Sequence, residues 1–328
     1  MRRLRALVPA VATTIGAVAC GGDDSPSEGH HQLSGLEIVD DGDPALPVTV
    51  VDGTGTEVTV TSTERILAVN GDLTEVAFAL GLGDRVVARD ISATYPADAA
   101  ALPSIGYQRA LLAETVAALE PTVVLANTIA GPPEAIEQMR DVGLPVVVLD
   151  YDDSVDGPGD KIRAAGAVLG VPHDAEALAD RVDGEIDAAT ALAADATTEP
   201  RVAALYLRGE STQLLFGPGS GMSVLLDTAG VTDIGAELEV DEAQPVNIEA
   251  LLTAAPDALV VTTSGLESVG GVDGLLALHD GALARTPAGE SRRIFAYEDQ
   301  YLLGFGPRTG QALDELIRDL HPELEDTP

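Results

Sequence analysis

GYQRALLAETVAALEPTVVLA, residues 106–126, sets the reading of the whole chain. It holds a Tyr-x-Arg pair, Tyr107 and Arg109. A short amphipathic run follows and carries Glu114, and then come Pro121 and an apolar strand. The run at 111–119 predicts a helix and VVLA at 123–126 a buried strand. The same logic returns later in two pieces, Tyr206-Leu207-Arg208 and NIEALLTAAPDALVV at 247–261, with Glu249 and Pro256 in the second piece. Two similar units, each with a phenol, a nearby cation and a carboxylate early in a helix, point to two lobes facing one ligand.

Reading outward, strand and helix patterns alternate. Strands at 48–51 and 58–60 flank the turn Asp52-Gly53-Thr54-Gly55, and strands at 66–69, 86–88 and 146–149 follow with helices at 73–80 and 133–142 between them. An acidic, Gly-rich break covers 150–159. Beyond it lie a helix at 161–169 and a longer one at 172–196, whose Leu178, Val182, Ile186, Ala189 and Leu192 form one stripe. From Pro200 the scheme repeats, with strands at 202–207, 258–262 and 294–296. Helices at 222–229, 248–254, 272–278 and 310–320 accompany them. The expected class is α/β: two lobes, each a mainly parallel sheet flanked by helices, joined by one long helix. The expected divisions are a first lobe at 48–157, a bridging helix region at 158–198 and a second lobe at 199–328.

The 328 residues suffice for two domains, and 45% apolar residues supply their cores. With 54 acidic against 18 basic residues the formal charge is −36, which argues against nucleic acid as a partner. The first 20 residues read as an export signal: charged MRRLR, then an apolar stretch too short to span a bilayer. They end in Ala17-Val18-Ala19-Cys20-Gly21-Gly22, which resembles a bacterial lipobox, so Cys20, the single cysteine, is the expected lipidation site anchoring the protein to the membrane. Residues 21–47 read as a flexible tether, and the His30-His31 pair in it is given no site.

No GxSxG, P-loop, HExxH or Cys/His metal spacing is present, so an enzyme is not expected. The GPGSG run at 217–221 is either an anion cradle before a helix or simply a turn. His173, His279 and His321 are expected at scattered surface positions. Tyr107 and Tyr206 stand out in a chain with 6 Tyr and no Trp. A cation beside a phenol favours the phenolate, a hard ligand suited to ferric iron. Arg can also fork onto a carboxylate such as a haem propionate, and Arg109, Arg208 and Arg308 would offset the acidic field for such a ligand. Taken singly, packing accounts better for Tyr206, which shares a strand face with Val202 and Ala204, and an exposed loop position for Tyr107; the matching pair in two lobes favours ligand contact. Glu114 and Glu249 complement a helix dipole or form two acidic knobs for docking.

ERILAVNGDLTEVAFALG, GYQRALLAETVAALEPTVVLA, VAALYLRG, GLESVGGVDGLLAL and YLLGFGPRTGQAL together resemble the haemin-binding lipoproteins of bacterial ABC haem importers. These are substrate-binding proteins with two lobes joined by a rigid helix, a class that also includes cobalamin and ferric-siderophore binders. The resemblance implies haem as the transported ligand, with one iron ligand from each lobe. The GYQR position holds Tyr or His in relatives and is Tyr107 here. The YLRG position gives Tyr206, with Arg208 bonding its phenolate. It further implies that Glu114 and Glu249 dock on Arg residues of the permease, itself coupled to an ATPase. The carrier is expected to be a monomer. The alternatives are a siderophore or cobalamin as ligand or, from another class, an exported enzyme or a structural lipoprotein.

Overall fold

The computed structural model describes residues 43–324, so Cys20, His30 and His31 lie outside the described residues. The chain opens on an antiparallel hairpin, β1 (Val48–Val51) and β2 (Glu57–Val60). There follow β3 (Ile66–Ala68), α1 (Gly71–Ala79), β4 (Val86–Ala88), α2 (Ala97–Ala100), α3 (Ala113–Ala117), β5 (Val123–Asn127), α4 (Pro133–Asp141) and β6 (Val146–Leu149). The four strands from β3 onward form a wholly parallel sheet in the order β4-β3-β5-β6. Every residue of β3, β5 and β6 is buried, as expected where helices cover both faces of a parallel sheet. The helix expected at 111–119 is shorter: a 3-10 turn at Gln108–Ala110 precedes α3.

Two helices then run on, α5 (Gly157–Leu169) and α6 (Pro172–Ala194). The break read at 150–159 is therefore shorter, because Gly157-Pro158 already opens α5; Pro suits a first helical turn, where its missing N–H costs nothing. The stripe on α6 is fully realised: Leu178 and Val182 are inaccessible, and Ile186, Ala189 and Leu192 are buried. The Leu, Val and Ile side chains of the stripe each contribute about 1.5–3 kcal/mol by leaving water.

The second half comprises β7 (Arg201–Arg208), β8 (Thr212–Phe216), α7 (Gly221–Thr228), β9 (Thr232–Asp233), α8 (Ile234–Glu237), β10 (Ala243–Pro245), α9 (Ile248–Ala254), β11 (Ala258–Thr262), α10 (Thr263–Ser268), α11 (Gly271–Gly281), α12 (Pro287–Ser291), β12 (Ile294–Tyr297), α13 (Asp299–Leu303) and α14 (Thr309–Leu320). Its sheet is mixed. β7, β11 and β12 are parallel neighbours and β9 pairs parallel to the start of β7, whereas β8 and β10 add antiparallel strands at one edge. One apolar cluster holds Ile66, the α6 stripe, Val202 and Leu313 together, so the core is continuous from one sheet through α6 to the other. The long helix thus does not act alone as a bridge, since α5 and α14 both pack on it.

Candidate ligand-binding cleft

The residues that follow the carboxyl ends of the strands in both sheets line one cleft of about 630 Å³. Asn70 and Gly71 follow β3, Ile129 follows β5 and Tyr151 follows β6; Tyr206 and Arg208 end β7, Thr263 follows β11 and Glu298 follows β12. This is where open α/β sheets bind ligands.

The two tyrosines singled out in the sequence are both in this cleft. Tyr107 precedes the 3-10 turn and is 47% exposed. Tyr206 is half-buried, with its ring edge-on to Phe216 at 6.1 Å between centroids. Residues two apart on a strand share a face, so Arg208 lies over Tyr206, its Cζ 4.4 Å from the ring centroid. The expected bond to the phenol oxygen is replaced by this stacking: Arg208 donates instead to Asp299 Oδ1 and to the Leu207 carbonyl, each at 2.8 Å.

The other cations differ from expectation. Arg109 is exposed and outside the cleft lining, though its charge reaches the Tyr151 phenol. Arg308 is not a cleft residue. It is 2% exposed and forks onto Glu75 of α1, with Nε at 2.7 Å from one carboxylate oxygen and Nη2 at 3.0 Å from the other. Its guanidinium stacks on Tyr95, 3.7 Å from the centroid. This partner lies 233 positions away in the chain, beyond the reach of any local pattern.

That pair belongs to a buried polar base joining the halves of the protein. Lys161 Nζ donates to Asp72 Oδ2 at 2.5 Å and to the Phe305 carbonyl at 2.8 Å. Gln300 donates to Glu75 at 2.8 Å and to the Gly71 carbonyl at 2.9 Å, while its own oxygen accepts from Thr94 N at 2.8 Å. Gly71 is needed at this floor, since a Cβ would sit 2.6 Å from the Ser92 carbonyl.

Tyr151 escaped the sequence reading because it sits in the acidic break. Burial, then the charges of Asp153 and Asp72, push its phenol up to about 12. It is therefore a hydrogen-bond donor at neutral pH. His321 is fully buried rather than on the surface, its Nε2 2.8 Å from the Ala229 carbonyl. In the GPGSG run, Ser220 caps α7 and Gly221 makes room for the Phe305 ring, which an added Cβ would meet at 2.5 Å; packing accounts for that loop. Among the described residues no group of three or more His, Cys, Asp or Glu is arranged to hold a metal ion. Glu114 and Glu249 are both exposed in the first turns of α3 and α9, the helices just before β5 and β11.

Two α/β lobes on a common base, with a cleft at the strand ends, define a protein that captures a ligand between its halves. The model of the periplasmic binding protein family matches residues 66–301, and the chain belongs to that family. Such proteins are the substrate-binding components of ABC importers and carry a ligand rather than transform it. The chain is 46% identical to the periplasmic heme-binding protein RhuT from Roseiflexus sp. RS-1 in apo form, with a TM-score of 0.77 over 80% of this chain and 100% of that one. It is 32% identical to the heme binding protein HmuT, with a TM-score of 0.78 over 88% of this chain and 96% of that one. A vitamin B12-binding protein of Vibrio parahaemolyticus is 23% identical over 253 residues, covering 77% of this chain and 88% of that protein.

Proposed function

We propose that this protein captures haem in the cleft and hands it to an ABC permease driven by its ATPase. The observation that carries this reading is the pair Tyr107 and Tyr206, which enter one cleft from opposite lobes. Phenolates are ferric-iron ligands, and two from opposite walls suit the two faces of a flat macrocycle. Arg208 compensates phenolate charge from the ring face, and Arg109 meets a propionate at the rim. Tyr151 supplies a neutral donor. The exposed Glu114 and Glu249 dock on permease arginines. Lipid on Cys20 keeps the monomeric carrier at the membrane; among the described residues no helix is long and apolar enough to cross one.

Absorbance titration of the purified mature domain with haemin tests the reading. A saturable Soret shift is expected, and its absence sinks the haem assignment. Cyanocobalamin serves as the competing ligand, because a relative is named for it. Displacement of haemin by equimolar cyanocobalamin would transfer the reading to cobalamin. The docking part is tested separately: Glu114→Ala with Glu249→Ala is expected to leave haemin binding intact and abolish uptake in cells. Normal uptake by that variant would end it.

A further inference from the structure

Arg208 is the one cation among the described residues lining the cleft, and it is already engaged. Its Nη2 donates to Asp299 Oδ1 at 2.8 Å. The same oxygen accepts from the Ser264 hydroxyl at 2.8 Å. Arg208 ends β7, Ser264 opens α10 after β11, and Asp299 opens α13 after β12, so three adjacent strand ends meet at one carboxylate. Glu298, beside it, is occupied elsewhere: it accepts from Thr94 Oγ1 at 2.5 Å and from Tyr301 N at 2.8 Å. The Arg208–Asp299 pair is partly open, with 41% and 29% of the two side chains exposed. Pairs of that kind are weak enough to exchange partners.

We propose that Asp299 sets the strength with which the cleft holds its ligand. It keeps Arg208 flat on the Tyr206 ring and competes for the guanidinium with the Tyr206 oxygen and with the ligand's anionic groups. Asp299 is thus a positioning residue that acts through Arg208. The role fits a carrier, which must release what it captures: as the ligand leaves, Asp299 retakes the guanidinium, which is not left unpaired. A neutral Arg–Asp pair also attracts an anionic ligand less than a free guanidinium would. The inference rests on the haem reading for its ligand, but not for its geometry.

Asp299→Asn retains the shape and an acceptor for Ser264 while removing the charge. Haemin dissociation from the mature protein, followed by transfer to excess apomyoglobin, is expected to slow by about two- to fivefold, the range of a partly exposed pair. In an Arg208→Gln background the same change is expected to have no effect, since Asp299 acts through the guanidinium. An unchanged or faster rate in Asp299→Asn, or equal slowing in both backgrounds, overturns the inference. A crystal structure of ligand-free Asp299→Asn supplies an arm that needs no haem: the guanidinium is expected to leave the ring and turn into the cleft, and unchanged stacking overturns the inference. If the unmodified protein takes up no haemin, the haem reading falls and this structure alone decides the role of Asp299.

Discussion

The two walls of the cleft carry the same residues at the same spacing and treat them differently. On the first wall Tyr107 precedes a 3-10 turn that contains Arg109, and both are exposed. On the second, Tyr206 and Arg208 end β7, a strand paired with β8 on one side and β11 on the other. There the strand's two-residue period stacks cation on phenol, and Phe216 backs the ring. One Tyr-x-Arg is therefore held before any ligand arrives, and the other is free to settle against it. A preorganised group loses less entropy on binding than a loose one, so the second wall should carry more of the affinity.

Both walls rest on the buried base, and the largest expected effect comes from breaking it. Arg308→Met leaves the Glu75 carboxylate buried without its cation, which costs about 3–5 kcal/mol. For a chain of this size that lowers the melting temperature by roughly 10 °C, measurable by calorimetry. A loss under about 1 kcal/mol would mean that Glu75 sits there protonated and uncharged, and that Gln300, not the ion pair, ties the halves together.

The next effect bears on the walls themselves. Tyr206→Ala is expected to weaken haemin binding by about a hundredfold and to change the iron spectrum, since losing the proposed iron ligand costs at least as much as losing an outer-shell partner. Tyr107→Ala is expected to cost about tenfold, because an exposed loop residue pays back part of its contact in ordering. Equal losses in the two titrations would erase the asymmetry; the reverse order would invert it.

Much of this was legible in the sequence, and the failures are of one kind. The apolar runs of β3, β5 and β6 and the stripe on α6 announce themselves, because their burial follows from local periodicity. The paired tyrosines were visible as a repeat. β8 was not: TQLLF begins with two polar residues, lacks clean alternation and is mostly half-buried, so only its pairing with β7 makes it a strand. Missing it hid the mixed character of the second sheet. Arg308 read as a ligand-facing cation because its partner Glu75 is remote in the chain. His321 read as surface because nothing nearby in sequence foretells the Ala229 carbonyl that satisfies it. Periodicity reports which face is buried, not which polar group waits there.

The smallest effect separates the third cleft tyrosine from the other two. Burial and neighbouring carboxylates hold the Tyr151 phenol up at about 12, against about 10 in an unfolded chain. Its contribution to stability is complete below pH about 10, where both states keep the proton. As pH rises from there toward 12 the unfolded chain ionises first, so stability falls. Urea midpoints measured across that range should therefore drop more steeply for the unmodified protein than for Tyr151→Phe. Parallel curves would show that the phenol is not held in this way. At neutral pH the same variant should leave the haemin spectrum unchanged, because a phenol that burial holds protonated does not compete for iron. A changed spectrum would make Tyr151 an iron ligand, and the first wall would then hold its own anchored phenol at the end of β6.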